Sequence, residues 1–210
     1  WESDLSKVFL KTGKHILWQL KPVNASNATK EFLLYNFTVS IPAQFSLSDA
    51  LVNSFEQGDL RKQTWILPTI ISQKTYFRPM KYRNPDNANT TENSVVFRIE
   101  EAYLLYAESL ANQNKIAEAK VAVDKLRQRA GLNPLPTGLS RETMIDKITD
   151  ESRHEFFAEM GHRFLDLKRM KRTDKIALSK PSWKSFHSSF PLPEKELIIN
   201  PNLNPQNNGY

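Results

Sequence analysis

The sequence has no cysteine, only six glycines, and no apolar run of the roughly 18 residues that a bilayer-spanning helix needs. The first absence removes disulfides, cysteine-ligated zinc and cysteine nucleophiles together. Scattered glycines leave no phosphate-cradling loop and no dinucleotide fingerprint. No Gly-x-Ser-x-Gly elbow frames a serine either, so nucleophilic catalysis has no recognisable carrier. The chain opens "WESDLSKVFL", without an initiator methionine or a basic-then-apolar leader, and reads as a fragment or a processed chain.

What is present suits a globular protein: 210 residues, enough for one sizeable core, and a formal net charge of +6. Basic residues are spread along the chain, with one denser patch, "HRFLDLKRMKR" at 162–172. No nucleic-acid motif accompanies it, and no nucleic-acid partner is expected.

Two stretches differ in pattern. Residues 1–92 lack sustained helical periodicity and read as an irregular, loop-rich part of one continuous domain. "EFLLYNFTVSIPAQF" reads as a strand or buried loop ending at Ile41-Pro42. "DALVNSFEQGDLRKQTWIL" starts as a helix with Leu51, Val52 and Phe55 on one face and Gly58 as its stop. "NPDNANTTENS" is loop by composition. Four Asn-x-Ser/Thr sequons, at Asn24, Asn27, Asn36 and Asn89, add weak evidence for glycosylation.

Residues 93–210 are helical, with an extended tail. Ile99, Tyr103, Tyr106 and Leu110 recur at three and four residues, the stripe of an amphipathic helix. A second helix is expected from about Ile116 to Arg129, with Ala119, Val123 and Leu126 inward and Gly131 closing it. The pair fits the tetratricopeptide template, and a lone pair must stack on something else. A third helix is expected from Arg141 to Met160, capped by Ser140, with Ile145, Ile148, Phe156 and Met160 apolar. Gly161 interrupts it. "HRFLDLKRM" then forms a short helix with Phe164, Leu165 and Leu167 inward, and the Pro- and Asn-rich tail runs extended over the surface.

Two features invite a functional reading. Glu151 and His154 make a Glu-x-x-His pair, with Glu155, Glu159 and His162 close behind, the spacing of a di-metal carboxylate site in a helix bundle. Such a site needs matching ligands from a second helix, and the only other histidines are His15 and His187. A metal-dependent enzyme using the Glu151/His154/Glu155 cluster is therefore the weaker reading. The favoured one is a salt-bridged junction in which Glu155 and Glu159 pair with basic groups such as Arg163 or Arg169, beside buried Phe164 and Leu167. The tryptophans are the second feature. Trp1, Trp18, Trp65 and Trp183 all lie outside the clear helical stripes, and loop aromatics suit stacking on flat ligand faces such as sugar rings. Trp65, Tyr76 and Trp183 are the candidates for that role.

With these segments laid out, the chain resembles the SusD/RagB family of outer-membrane nutrient-binding lipoproteins. The resemblance rests on Arg98, Glu101, Ala102, Tyr103 and Leu104, on Arg129 to Leu132, and on a junction of Glu151, Glu155, Glu159, Gly161, His162, Arg163, Asp166, Lys168 and Arg169. It continues through Pro191, Pro193, Glu196, Asn200 and Pro201 to the terminal Asn204–Tyr210. It is dense from about 97 to 210 and patchy before. It implies a mainly α, SusD-like fold with tetratricopeptide-like helix pairs and long irregular loops. It further implies a surface-exposed glycan-binding component, without cofactor or catalysis, that delivers ligand to a SusC-like TonB-dependent outer-membrane transporter. Attachment to the membrane would be through a lipid anchor absent from this chain. A tetratricopeptide-type interaction scaffold without a small ligand is the alternative.

Overall fold

The computed structural model describes residues 1–24, 26–37 and 45–210. Two compact units make up the chain, Trp1–His162 and Arg163–Tyr210. Helix predominates, as expected.

In the first unit, β1 (Ile16–Leu20) pairs antiparallel with β4 (Ser94–Arg98), placing Ile16 opposite Arg98 and Leu20 opposite Ser94. This pairing ties the loop-rich stretch to the helical one. Between them lie three short helices, α1 (Lys30–Tyr35), α2 (Asp49–Val52) and α3 (Leu60–Trp65). Each starts at a side chain that accepts a backbone N–H: Thr29, Ser48 and Asp59. Helix α1 corrects the strand or buried loop expected at the start of this stretch; Ile41 and Pro42 lie outside the described residues. Leu51, Val52 and Phe55 are buried as expected, but α2 stops at Val52, well before Gly58.

A hairpin follows, β2 (Ile66–Ile71) with β3 (Lys74–Pro79), closed by Ser72 and Gln73. Both turn residues have positive φ, 48° and 64°, as the primed hairpin turns require. Nothing in "SQ" announces such a turn, which is why the strands escape a pattern reading.

Three longer helices pack on one another: α4 (Ile99–Asn112), α5 (Ile116–Arg129) and α6 (Arg141–Glu155). Ala107 and Ala119 are fully buried where α4 meets α5. Helix α5 has the expected bounds and inward Ala119, Val123 and Leu126. It ends in a Schellman motif: Leu132 N–H donates to Arg127 C=O at 2.9 Å and Gly131 N–H to Gln128 C=O at 3.0 Å, with Gly131 at φ +77°. The α4 stripe is rotated from the expected one. Glu100, Leu104, Ala107 and Leu110 face inward, and Tyr106 is 57% exposed. Helix α6 starts at the Ser140 cap as expected but ends at Glu155, not Met160. Ala158 and Met160 then take positive φ, so the chain turns before Gly161 is reached.

Helix α7 (His162–Arg169) and the remaining residues belong to the second unit from Arg163 onward. Leu167 is buried and Phe164 half-buried, but Leu165 is exposed. After 3-10 turns at Thr173–Ile176 and Ser185–Ser188, the tail from Ser189 is not fully extended: it holds a short helix, α8 (Glu194–Ile199), and a 3-10 turn at Pro201–Leu203.

Candidate functional site

The Glu151-to-Glu159 segment is the most heavily charged part of the interior, and its partners come from distant sequence. Arg61 on α3 donates to Glu151 Oε1 at 2.6 Å, to Glu155 Oε2 at 3.1 Å and, through two nitrogens, to Asp59. Arg98, at the junction of β4 and α4, donates to Glu155 Oε1 at 2.6 Å and to both Glu159 oxygens at 3.0 and 3.1 Å. Arg129 at the end of α5 bridges Glu100 and Glu155. The Lys81 ammonium donates to Glu159 and to the Glu155 carbonyl, and lies 4.0 Å from the Phe157 ring centre and 4.8 Å from that of Trp65. Arg127 closes the set with a bidentate pair to Glu56 at 2.7 and 2.9 Å.

Burial opposes charge in this interior, and whether the neighbours outweigh it differs from group to group. Against that burial, the Arg129, Arg98 and Arg61 guanidiniums hold Glu155 well below the usual carboxylate range. Glu159 is lowered in the same way by Arg98 and Lys81. For Glu151 burial prevails over Arg61 and its carboxyl is raised. Burial also pushes Lys81 down to about 8 and His154 down to about 4.

This geometry corrects the sequence reading of the segment. Glu155 and Glu159 do pair with cations, but with Arg61, Lys81, Arg98 and Arg129 in place of Arg163 or Arg169; Arg169 holds Asp166 at 3.1 Å. Glu159 converges with Glu155 from the turn after α6, not from a continuous helix face. The groups of the metal reading are engaged by the protein: Arg61 holds Glu151 and Glu155, and His154 hydrogen-bonds Ser54 Oγ at 3.0 Å while packing against Phe55. His162 stacks on Phe156 at 4.5 Å and approaches Glu101 at 3.5 Å. Tyr103 accepts a hydrogen bond from Lys125 and meets the edge of Trp1. Chemically, the arrangement is a lock of interlinked ion pairs in which each carboxylate is held by at least one guanidinium or ammonium group.

Stacking surfaces lie elsewhere. Trp65, one of the three candidates, is 1% exposed; its indole N–H donates to the Leu5 carbonyl inside a core that includes Val8, Phe9, Val52 and Tyr82. It presents no face to a ligand. Tyr76 is half-buried on β3, 6.3 Å from Phe37, with the Lys74 ammonium over its ring. Trp183 is half-buried in the second unit, edge-on to His187 and Phe164. Trp18, named with the tryptophans but not chosen, is 59% exposed on the edge strand β1. One sequon is closed off as well: Asn89 is buried and its amide donates to the Asn27 and Glu92 carbonyls.

A small, solvent-open cleft lies between α1, the end of β3 and the turn after α6. Glu31, Phe32, Tyr35, Asn36, Pro79 and Tyr82 line it, with Lys81 beneath. Sequence reasoning missed it because this stretch reads as a strand or buried loop. In a strand Phe32 and Asn36 would face away from Glu31 and Tyr35, and helical spacing is what gathers all four on one side.

Comparison with known proteins agrees with the motif pattern. The chain is 30% identical over 141 residues to a SusD-like protein of Formosa agariphila, an alignment covering 60% of this chain and 27% of that one. Its fold matches a SusD superfamily protein from Bacteroides fragilis with a TM-score of 0.77 at 18% identity, over 100% of this chain and 55% of that one. It also matches surface glycan-binding protein A from Bacteroides thetaiotaomicron with a TM-score of 0.75 at 19% identity, over 99% and 55% of the two chains. The chain thus spans about a quarter of the curated relative and little more than half of these solved structures. The SusD family model matches residues 53–189, from the end of α2 through the buried ion lock to the second unit, and the chain belongs to the SusD family.

Proposed function

We propose that the chain is part of a lipid-anchored glycan-binding protein on the outer-membrane surface, which passes its ligand to a SusC-like TonB-dependent transporter. Family membership supports this reading, and the observation that carries it is the fold match, over nearly the whole chain, to surface glycan-binding proteins of two Bacteroides species. The role is capture without catalysis: the interior carboxylates that could serve as acid or base are held by guanidinium and ammonium groups. No helix among the described residues is long and apolar enough to cross a membrane.

Binding would combine ring stacking with hydrogen bonds to hydroxyls, each bond netting about 1 kcal/mol. Tyr76 and Trp183 remain the stacking candidates. The cleft adds the Glu31 carboxylate and the Asn36 amide beside the Tyr35 ring. Affinity electrophoresis of the chain against a panel of polysaccharides tests the reading. Retardation by at least one glycan, weakened in Tyr76→Ala or Trp183→Ala, is expected. Indifference to every glycan, with capture of an outer-membrane protein through the exposed α4–α5 face, would favour the interaction scaffold instead.

A further inference from the structure

The second unit carries nearly all of the chain's excess charge. Arg163–Tyr210 contains nine basic and four acidic residues, which is +5 of the total +6. Between Lys168 and Lys184, seven basic residues meet a single acid, Asp174. Lys168, Lys171, Lys180 and Lys184 are exposed, and no carboxylate among the described residues pairs with any of them. The contrast with the first unit is sharp, since Arg61, Lys81, Arg98 and Arg129 are buried and matched there.

These lysines sit on a folded frame. Helix α7 ends in a left-handed turn at Lys171, and Arg172 N–H reaches back to Leu167 C=O at 2.7 Å. The 3-10 turns at Thr173–Ile176 and Ser185–Ser188 pack together. Trp183 lies in the chain between Lys180 and Lys184; its backbone N–H donates to Lys180 C=O at 2.8 Å, and its ring is fixed edge-on to His187 at 5.4 Å. A half-exposed indole is thus flanked in sequence by two ammonium groups that lack a carboxylate partner.

We propose that the Lys168–Lys184 surface is a docking site for an anionic polysaccharide, one whose sugars carry carboxylate or sulfate groups. The inference rests on the glycan-binding reading and narrows its substrate class. Lysine ammoniums would meet the acidic groups along the polymer, while Trp183 offers a face to a sugar ring. A membrane surface fits less well, because beyond the eight residues of α7 the basic segment consists of turns and presents no amphipathic helix. Nucleic acid fits less well because no groove-reading element or row of stacking aromatics accompanies the charge.

The test is affinity electrophoresis and calorimetry of the full chain with polygalacturonate and dextran sulfate, against neutral dextran and amylose. Phosphatidylglycerol vesicles and single-stranded DNA serve as competing anions. The expected result is binding of an acidic polymer about tenfold or more tighter than its neutral counterpart, falling about tenfold between about 50 and about 300 mM salt. The Lys171→Ala/Lys180→Ala/Lys184→Ala variant, with an unchanged circular dichroism spectrum, should lose about tenfold in that affinity. Which acidic polymer binds distinguishes carboxylate from sulfate recognition. Neutral glycans bound as tightly as acidic ones would overturn the anionic assignment and leave the glycan reading standing. An acidic preference untouched in the triple variant would overturn the location. Vesicles or DNA bound in preference to acidic polymers would overturn it in favour of another partner, and failure to bind any glycan would sink both readings.

Discussion

The two units use positive charge in opposite ways. In Trp1–His162, Arg61, Arg98, Arg127, Arg129 and Lys81 are withdrawn from water and matched to carboxylates, so their electrostatic work is structural. In Arg163–Tyr210, lysines stand in solvent and their field is available to a partner. Residue type partly anticipates this division. The buried partners are mostly arginines, whose planar forks satisfy two carboxylates at once, and the exposed ones are mostly lysines. A mean charge over the chain therefore says little; where each charge can reach says more.

The largest effect that would break this contrast is expected at Glu155. Glu155→Ala leaves Arg61, Arg98 and Arg129 without their shared counter-charge and should cost about 3–5 kcal/mol in urea unfolding, enough to prevent folding of a marginal chain. Glu155→Gln keeps the shape and should sit between the variant and the parent. A loss near zero for Glu155→Ala would mean that the lock is solvated and the two units do not differ in kind.

Acid should come next. Burial holds His154 at about 4 in the folded chain, below its ordinary value near 6.5. Between those values the unfolded chain takes up more protons, so stability falls as pH drops from about 6.5 toward 4, by on the order of 3 kcal/mol. His154→Gln should flatten that part of the pH profile, whereas no such slope is expected from the exposed lysines of the second unit.

How much of this was legible follows from the distances involved. Helix α5, its Gly131 stop and the Ser140 cap could be read because their signals lie within a few residues. The β2–β3 hairpin could not, because Ser72-Gln73 lacks the Asn-Gly or Asp-Gly pair that normally marks such a turn. Tyr106 was placed inward because its spacing fits a stripe; buried Glu100 and Ala107 show that the true face is rotated about one residue round the helix. The lock itself was half legible. The carboxylates cluster in sequence, but Arg61 lies 90 residues from Glu151 and Lys81 lies 78 from Glu159, beyond any local pattern. Trp65 taught the same lesson in reverse: a tryptophan outside the helical stripes proved to be core.

Two smaller effects sharpen the comparison. Gly131→Ala should cost about 1–2 kcal/mol, since φ is +77° and an added Cβ would meet Leu60 at 3.0 Å; thermal unfolding measures it. Smallest of all, Lys180→Ala should change stability by no more than about 0.5 kcal/mol in the same assay. A larger loss there would show that the second unit also spends its lysines on structure.

The ion lock has a consequence for synthesis of the chain. Arg61, Lys81 and Arg98 leave the ribosome well before the carboxylates of the α6 end, Arg98 by 57 residues relative to Glu155. Until the end of α6 and the following turn emerge, Lys81 lacks its Glu159 partner, Arg61 and Arg98 have only their near neighbours Asp59 and Glu100, and the core around Trp65 has little reason to close over them. Completion of the first unit is therefore tied to translation reaching Glu159, and a ribosome stalled before that codon would hold a nascent chain whose helices can form but whose centre stays wet.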